Sequence, residues 1–147
     1  MESEMREILG RGERWESGAV AVEFALLLPV LLLILIGTIQ FGIVYSQYQV
    51  MEGAAREGAR CAAVQAAGFS DCDPVVRVDA ALPAGYTRTG EVSISVEGGG
   101  SACTEDTVGQ NVTVSWDQEF SLGLLGNLVP GLPDTVTRTV RGTFRCE

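Results

Sequence analysis

Twenty-eight consecutive residues, Phe24 to Met51, carry no charge, and the first thirteen of them, FALLLPVLLLILI, are apolar without exception. That run limits what the chain can fold into more than any other feature. At 1.5 Å rise per residue, about 20 apolar residues cross a hydrocarbon core of roughly 30 Å, so the run is long enough to span a bilayer as one helix. A soluble protein would have to bury such a helix in a large core, and of 147 residues only about 100 follow it. The reading is a single membrane-spanning helix over residues 19–45.

Its polar residues differ in meaning. Gln40, Tyr45, Gln47 and Tyr48 lie where an interfacial belt begins at the far end and need no special explanation. Glu23 sits inside the apolar run, where a charge costs a few kcal/mol, about 3 at the helix centre, and therefore needs a partner. Pro29 removes a backbone donor and is expected to kink or loosen the helix.

Charge narrows the function. All ten cations are Arg, with neither Lys nor His, against nineteen carboxylates, for a net charge of −9. Ser-His-Asp or Cys-His catalysis, imidazole metal ligation, Schiff-base chemistry and a P-loop are excluded, which leaves carboxylates and thiols. Net acidity and few aromatics also argue against a nucleic-acid partner.

Beyond the span, Tyr48, Met51, Ala55, Ala59, Ala62 and Ala66 recur at helical spacing, with Glu52/Arg56 and Glu57/Arg60 placed as ion pairs. This amphipathic extension covers residues 46–67 and closes at Gly68. Its small-residue face suits either the domain's own sheet or the backbones of other helices. Asp73-Pro74 opens a short segment, PVVRVDAALPAG, that ends at Pro83 to Gly85. From Gly90 the period becomes two, in Val92/Ile94/Val96, Val112/Val114/Trp116 and Val136/Val140/Phe144. These predict a three-stranded antiparallel sheet in a head of residues 68–147, so the fold class is α+β. The loop FSLGLLGNLVPGLPD exposes Phe120, Leu122, Leu124, Leu125 and Leu128 without a clean period, and folding under the sheet, touching the membrane and contacting another subunit all stay open.

Three weaker motifs carry no function. Gly98-Gly99-Gly100 reads as a flexible turn and not a phosphate cradle, because no helix start accompanies it. The glycosylation acceptor pattern Asn111-Val112-Thr113 falls within a predicted strand. Asp71/Asp73 and Glu105/Asp106 read as solvated acidic loops in preference to calcium ligands, so no metal and no cofactor is expected.

The first eighteen residues hold three Arg and five acids, unlike the basic start of a secretory signal, and the apolar stretch is too long for one. They end in Gly18, followed by Ala19-Val20-Ala21-Val22-Glu23-Phe24. This pattern resembles the class III signal of type IV pilin-like proteins. The longer run AVEFALLLPVLLLILIGTIQFGIVYSQYQVMEGAAREGARCAA resembles a TadE-like minor pilin, or pseudopilin, of the tight-adherence (Flp) pilus system. The likeness rests on the AVEFALLLP opening, Phe41-Gly42 and Ala54 to Arg60, and more weakly on the terminal Arg145-Cys146-Glu147. Phe24 stands where a Tyr is frequent in that system.

The resemblance implies a leader, residues 1–18, removed by a membrane prepilin peptidase between Gly18 and Ala19. Without the leader, residues 19–147 keep seven Arg and fourteen acids, a net charge of −7. Ala19 would then carry a free ammonium one helical turn before Glu23. The resemblance also implies that Glu23, beside Phe24, pairs with the N-terminal amine of a neighbouring subunit. The Arg count on the two sides of the span does not set orientation, and the resemblance places the C-terminus outside an inner (cytoplasmic) membrane. In that oxidising space the four cysteines allow three disulfide pairings. Cys61–Cys72 and Cys103–Cys146 are preferred, the second because antiparallel strands bring the start of one beside the end of the next. A zinc site is disfavoured, since the cysteine spacings contain no C-x-x-C. The implied protein is a non-enzymatic pilus component whose partners are other pilin subunits, the prepilin peptidase, the inner-membrane pilus platform and membrane lipid. The alternatives are a membrane-anchored adhesion domain that enters no filament and a secretion-system pseudopilin.

Overall fold

The computed structural model describes residues 2–65, 67–68 and 71–147, with side chains from Gly18 onward except that of Leu128. The order of elements is α1 (Glu2–Ala63), α2 (Pro74–Ala81), β1 (Ser93–Val96), β2 (Asn111–Ser121), α3 (Leu124–Leu128) and β3 (Thr135–Arg145). The architecture is a long N-terminal apolar helix and a small α+β head with one antiparallel sheet. Two compact units divide at Ile39/Gln40.

The first unit is helix alone. α1 continues through Pro29, and from Val20 to Leu35 its large apolar side chains are exposed. Thr38 returns its hydroxyl to the Ile34 carbonyl at 2.8 Å, which satisfies a polar group in an apolar stretch without leaving the helix.

In the second unit the remainder of α1 lies on the sheet. Met51, Ala54, Ala55, Ala59, Ala62 and Ala63 are buried against Val112, Val114, Trp116, Phe120 and Val140, with Val78 of α2 completing the core. The small-residue face is therefore consumed by the domain's own sheet and is closed to other helices. Ala66, which the spacing adds to this face, lies outside the described residues. Small side chains are needed because the helix backbone itself meets the sheet. A Cβ on Gly142 of β3 would collide with the α1 backbone at Ala55 and Arg56, and one on Gly58 would collide with Val78.

The strand order is β1-β2-β3, antiparallel throughout. β2 alternates strictly, with Val112, Val114, Trp116, Gln118 and Phe120 buried. Gln118 is the polar exception, and its amide is fully engaged. It accepts from Trp116 Nε1 at 3.0 Å and from the Thr89 amide at 3.1 Å, and donates to the Thr87 carbonyl at 3.3 Å. This amide ties the incoming chain before β1 to the centre of the sheet, and a buried polar group satisfied in this way fixes one arrangement. Asp73 caps α2 by accepting from the amides of Val75 and Val76, with Pro74 at the first helical position.

The disulfides close the unit at one end. Cys61–Cys72 joins the last turns of α1 to the approach of α2, and Cys103–Cys146 joins the segment before β2 to the residue after β3, each with Cα atoms 5.7 Å apart. The backbone amide of Glu147 donates to the carbonyl of Ala63, so the chain terminus satisfies an orphan acceptor of α1.

Several expectations are corrected. α1 stops at Ala63, not at residue 67, because the 11-residue disulfide loop and the Glu147 contact hold its end there. Phe120 is buried in β2, which runs to Ser121, and the connection to β3 contains the short helix α3 with Leu124 exposed. Phe144 shares the inner face of β3 with Val140 and Gly142, yet it lies beyond the core's edge and is 40% exposed. Among the described residues Glu52–Arg56 forms an ion pair at 3.6 Å, and Glu57 and Arg60 do not.

Two outcomes test this packing. Gly142→Ala should lower the unfolding free energy by about 1–3 kcal/mol through overpacking, whereas Gly53→Ala, whose Cβ meets nothing, should be neutral or stabilising. Urea titration followed by Trp116 fluorescence in a Trp15→Phe background reads both. Removing Cys103–Cys146, which closes 43 residues, should cost roughly 4 kcal/mol, and removing the 11-residue Cys61–Cys72 loop roughly 3. The same titrations check the order.

Candidate functional site

The uncovered part of α1 is the first candidate surface. The segment Gly18–Ala63 is long and apolar enough to cross a membrane, and its most apolar window has no residue buried within the protein. Val20, Phe24, Leu27, Leu31 and Ile34 are all exposed. Exposure of this kind on a continuous helix is stable only against lipid or other helices.

Gly18 and Ala19 lie within α1, both exposed, and nothing surrounds the position of a Gly18 Cβ. Glu23 follows Ala19 by four residues, one turn on the same face. Its side chain is exposed, and among the described residues it forms no ion pair within the chain. Among the described residues this carboxylate, on an otherwise apolar surface, has no counter-charge. Phe24 is exposed beside it. The leader's side chains, residues 1–17, lie outside the described residues.

A second feature was not visible in the sequence. Phe41, Val44, Tyr45 and Tyr48 of α1, with Phe120, Arg138, Thr139 and Arg141 of the sheet, line an open groove of about 540 Å³. Phe41 stacks on Tyr45 with ring centroids 6.1 Å apart, and Tyr48 meets Phe120 tilted at the same separation. Glu52, one turn beyond Tyr48, raises the Tyr48 phenol above its ordinary value of 10.0, first by accepting its hydrogen bond, then with burial and negative charge. Arg141 and Arg138 pull it the other way. The tyrosines were legible as an interfacial belt. Their partners were not, because Phe120 reads as loop and the arginines as ordinary exposed strand residues.

Among the described residues no cluster of three His, Cys, Asp or Glu could hold a metal ion. Asp73 is spent on the α2 cap, and Glu105 and Asp106 occupy a single 3-10 turn. Gly98, Gly99 and Gly100 all have positive φ in the turn after β1, and Asn111 donates its side-chain amide to Glu97 at 2.9 Å from within β2.

No curated protein and no solved structure matches the chain. One family model does, described as TadE-like protein, over residues 18–60. Those residues start at the Gly18–Ala19 junction, include Glu23 and the whole uncovered span, and end within the buried alanine face. Over this segment, which is less than a third of its length, the chain is similar to TadE-like proteins.

Proposed function

We propose that this chain is a minor pilin of a tight-adherence pilus: cut by prepilin peptidase after Gly18, anchored by residues 19–45 with its head outside the inner membrane, and assembled through that helix. The observation that carries the reading is Glu23, an exposed carboxylate that forms no ion pair among the described residues, one turn after Ala19 on an uncovered apolar helix inside the TadE-like match. The chain's part is structural. It supplies a helix, an ammonium and a carboxylate, and the peptidase, the platform and the other pilins supply the rest.

The packing confines where assembly can occur. From Met51 onward the α1 face is occupied by the sheet, so contacts with neighbouring helices fall on the stretch before it. Once cleaved, Ala19 carries its ammonium at the positive end of a helix, where the Glu23 carboxylate of a neighbour relieves both charges in a low dielectric. Gly18–Ala19 lies inside the helix, so cleavage requires that turn to open in the peptidase.

Intact-mass measurement on membranes should show a product beginning at Ala19 in cells with prepilin peptidase and the full chain in cells without it. Persistence of the full chain in both points to an anchored domain that enters no filament. Glu23→Gln should leave membrane insertion and cleavage intact but lower recovery in sheared pili roughly tenfold or more, as expected for loss of a desolvated ion pair worth at least ~1.4 kcal/mol. Unchanged recovery rejects the pairing role.

A further inference from the structure

We propose that the groove between α1 and the β3 edge binds the phosphate headgroup of an anionic phospholipid in the membrane that α1 crosses. Three observations converge on that occupant.

The first is position along the helix. A span of about 20 residues counted from Phe24 ends near Ile43, so Phe41, Val44 and Tyr45 stand where hydrocarbon gives way to headgroups. The same residues form one wall of the groove. Lipid therefore reaches the groove by lateral contact with the helix.

The second is the lining. Phe41, Val44 and Phe120 supply apolar surface for the upper part of an acyl chain, and Tyr45 and Tyr48 are side chains of the interfacial kind, apolar in body and polar at the tip. The volume of about 540 Å³ suits a headgroup and the glycerol beneath it.

The third is charge. Arg138 and Arg141 are exposed and, among the described residues, in no ion pair. Two unneutralised guanidinium groups on a chain of net charge −9 form a local cationic site, and guanidinium is the side chain that best matches phosphate oxygens in geometry. Carboxylates on the flanking elements are engaged elsewhere. Glu52 pairs with Arg56 at 3.6 Å, and Asp117 accepts from the Thr139 hydroxyl at 2.7 Å. An acidic protein segment would satisfy the arginines but not the apolar wall of Phe41, Val44 and Phe120, so a lipid is favoured.

The test uses the full chain in nanodiscs of equal parts phosphatidylcholine and phosphatidylglycerol, with native mass spectrometry of the released protein reading the retained lipid. The wild-type chain should keep phosphatidylglycerol in preference to phosphatidylcholine. Arg138→Gln/Arg141→Gln should reduce that retention roughly tenfold or more, since each arginine near an anionic surface contributes on the order of a several-fold preference. Arg60→Gln/Arg77→Gln, an equal charge change elsewhere on the head, should leave it unchanged. Non-reducing peptide mapping confirms both disulfides in each variant. Equal retention of the two lipids by the wild-type chain overturns the proposal without any variant. Unchanged retention in the Arg138/Arg141 variant, displacement of the lipid by glycerol phosphate at equal concentration, or a lipid-free dimer mass overturns it as well.

Discussion

The close contact of α1 with the sheet is the constraint on which the head depends. Ala54, Ala55, Gly58, Ala59 and Ala62 reduce the helix surface almost to backbone, and Gly142 does the same on β3. Helix and strand then approach until an added methyl at Gly142 would collide with the α1 backbone, and one at Gly58 would collide with Val78 of α2. The area buried by each alanine is small, but the contact is dense, and dense interiors fix geometry. Once α1 is seated, the remaining elements have little freedom: Val78 of α2 fills the gap over Gly58, and the two disulfides and the Glu147 amide hold the end where α1 stops.

The same contact divides α1 by composition. From Val20 to Ile39, Glu23 and Thr38 apart, the described helix is apolar on its exposed surface; from Met51 it is amphipathic and spent on the core. The composition of the helix changes along its length, from Leu and Ile to Ala and Gly. The turns between these stretches, Phe41 to Tyr48, are aromatic, and their exposed rings face the groove with Arg138 and Arg141.

Much of the head could be read from pattern. The switch of period at Gly90 marks the strands, and Asp73-Pro74 marks the start of α2, because capping and alternation are local rules that need no knowledge of the partner. Gln118 shows where such rules end. It occupies an inward position of β2, and only the approach of Thr87, Thr89 and Trp116 in space makes that position acceptable for an amide. Phe120 shows the same limit at a boundary. The nearby Gly123 and Gly126 suggest a loop, but pairing with Val136 carries β2 through Phe120 to Ser121.

By itself the sequence determined the membrane-length helix and the class of head, since both follow from composition and periodicity along the chain. Tertiary structure decided two things that no local pattern encodes. It assigned the small-residue face of α1 to the chain's own sheet and not to other helices, because only the closed head shows what lies within a methyl's reach. It also brought Arg138 and Arg141 beside Tyr45 and Tyr48, about ninety residues away in sequence, because a groove is a property of the surfaces that enclose it.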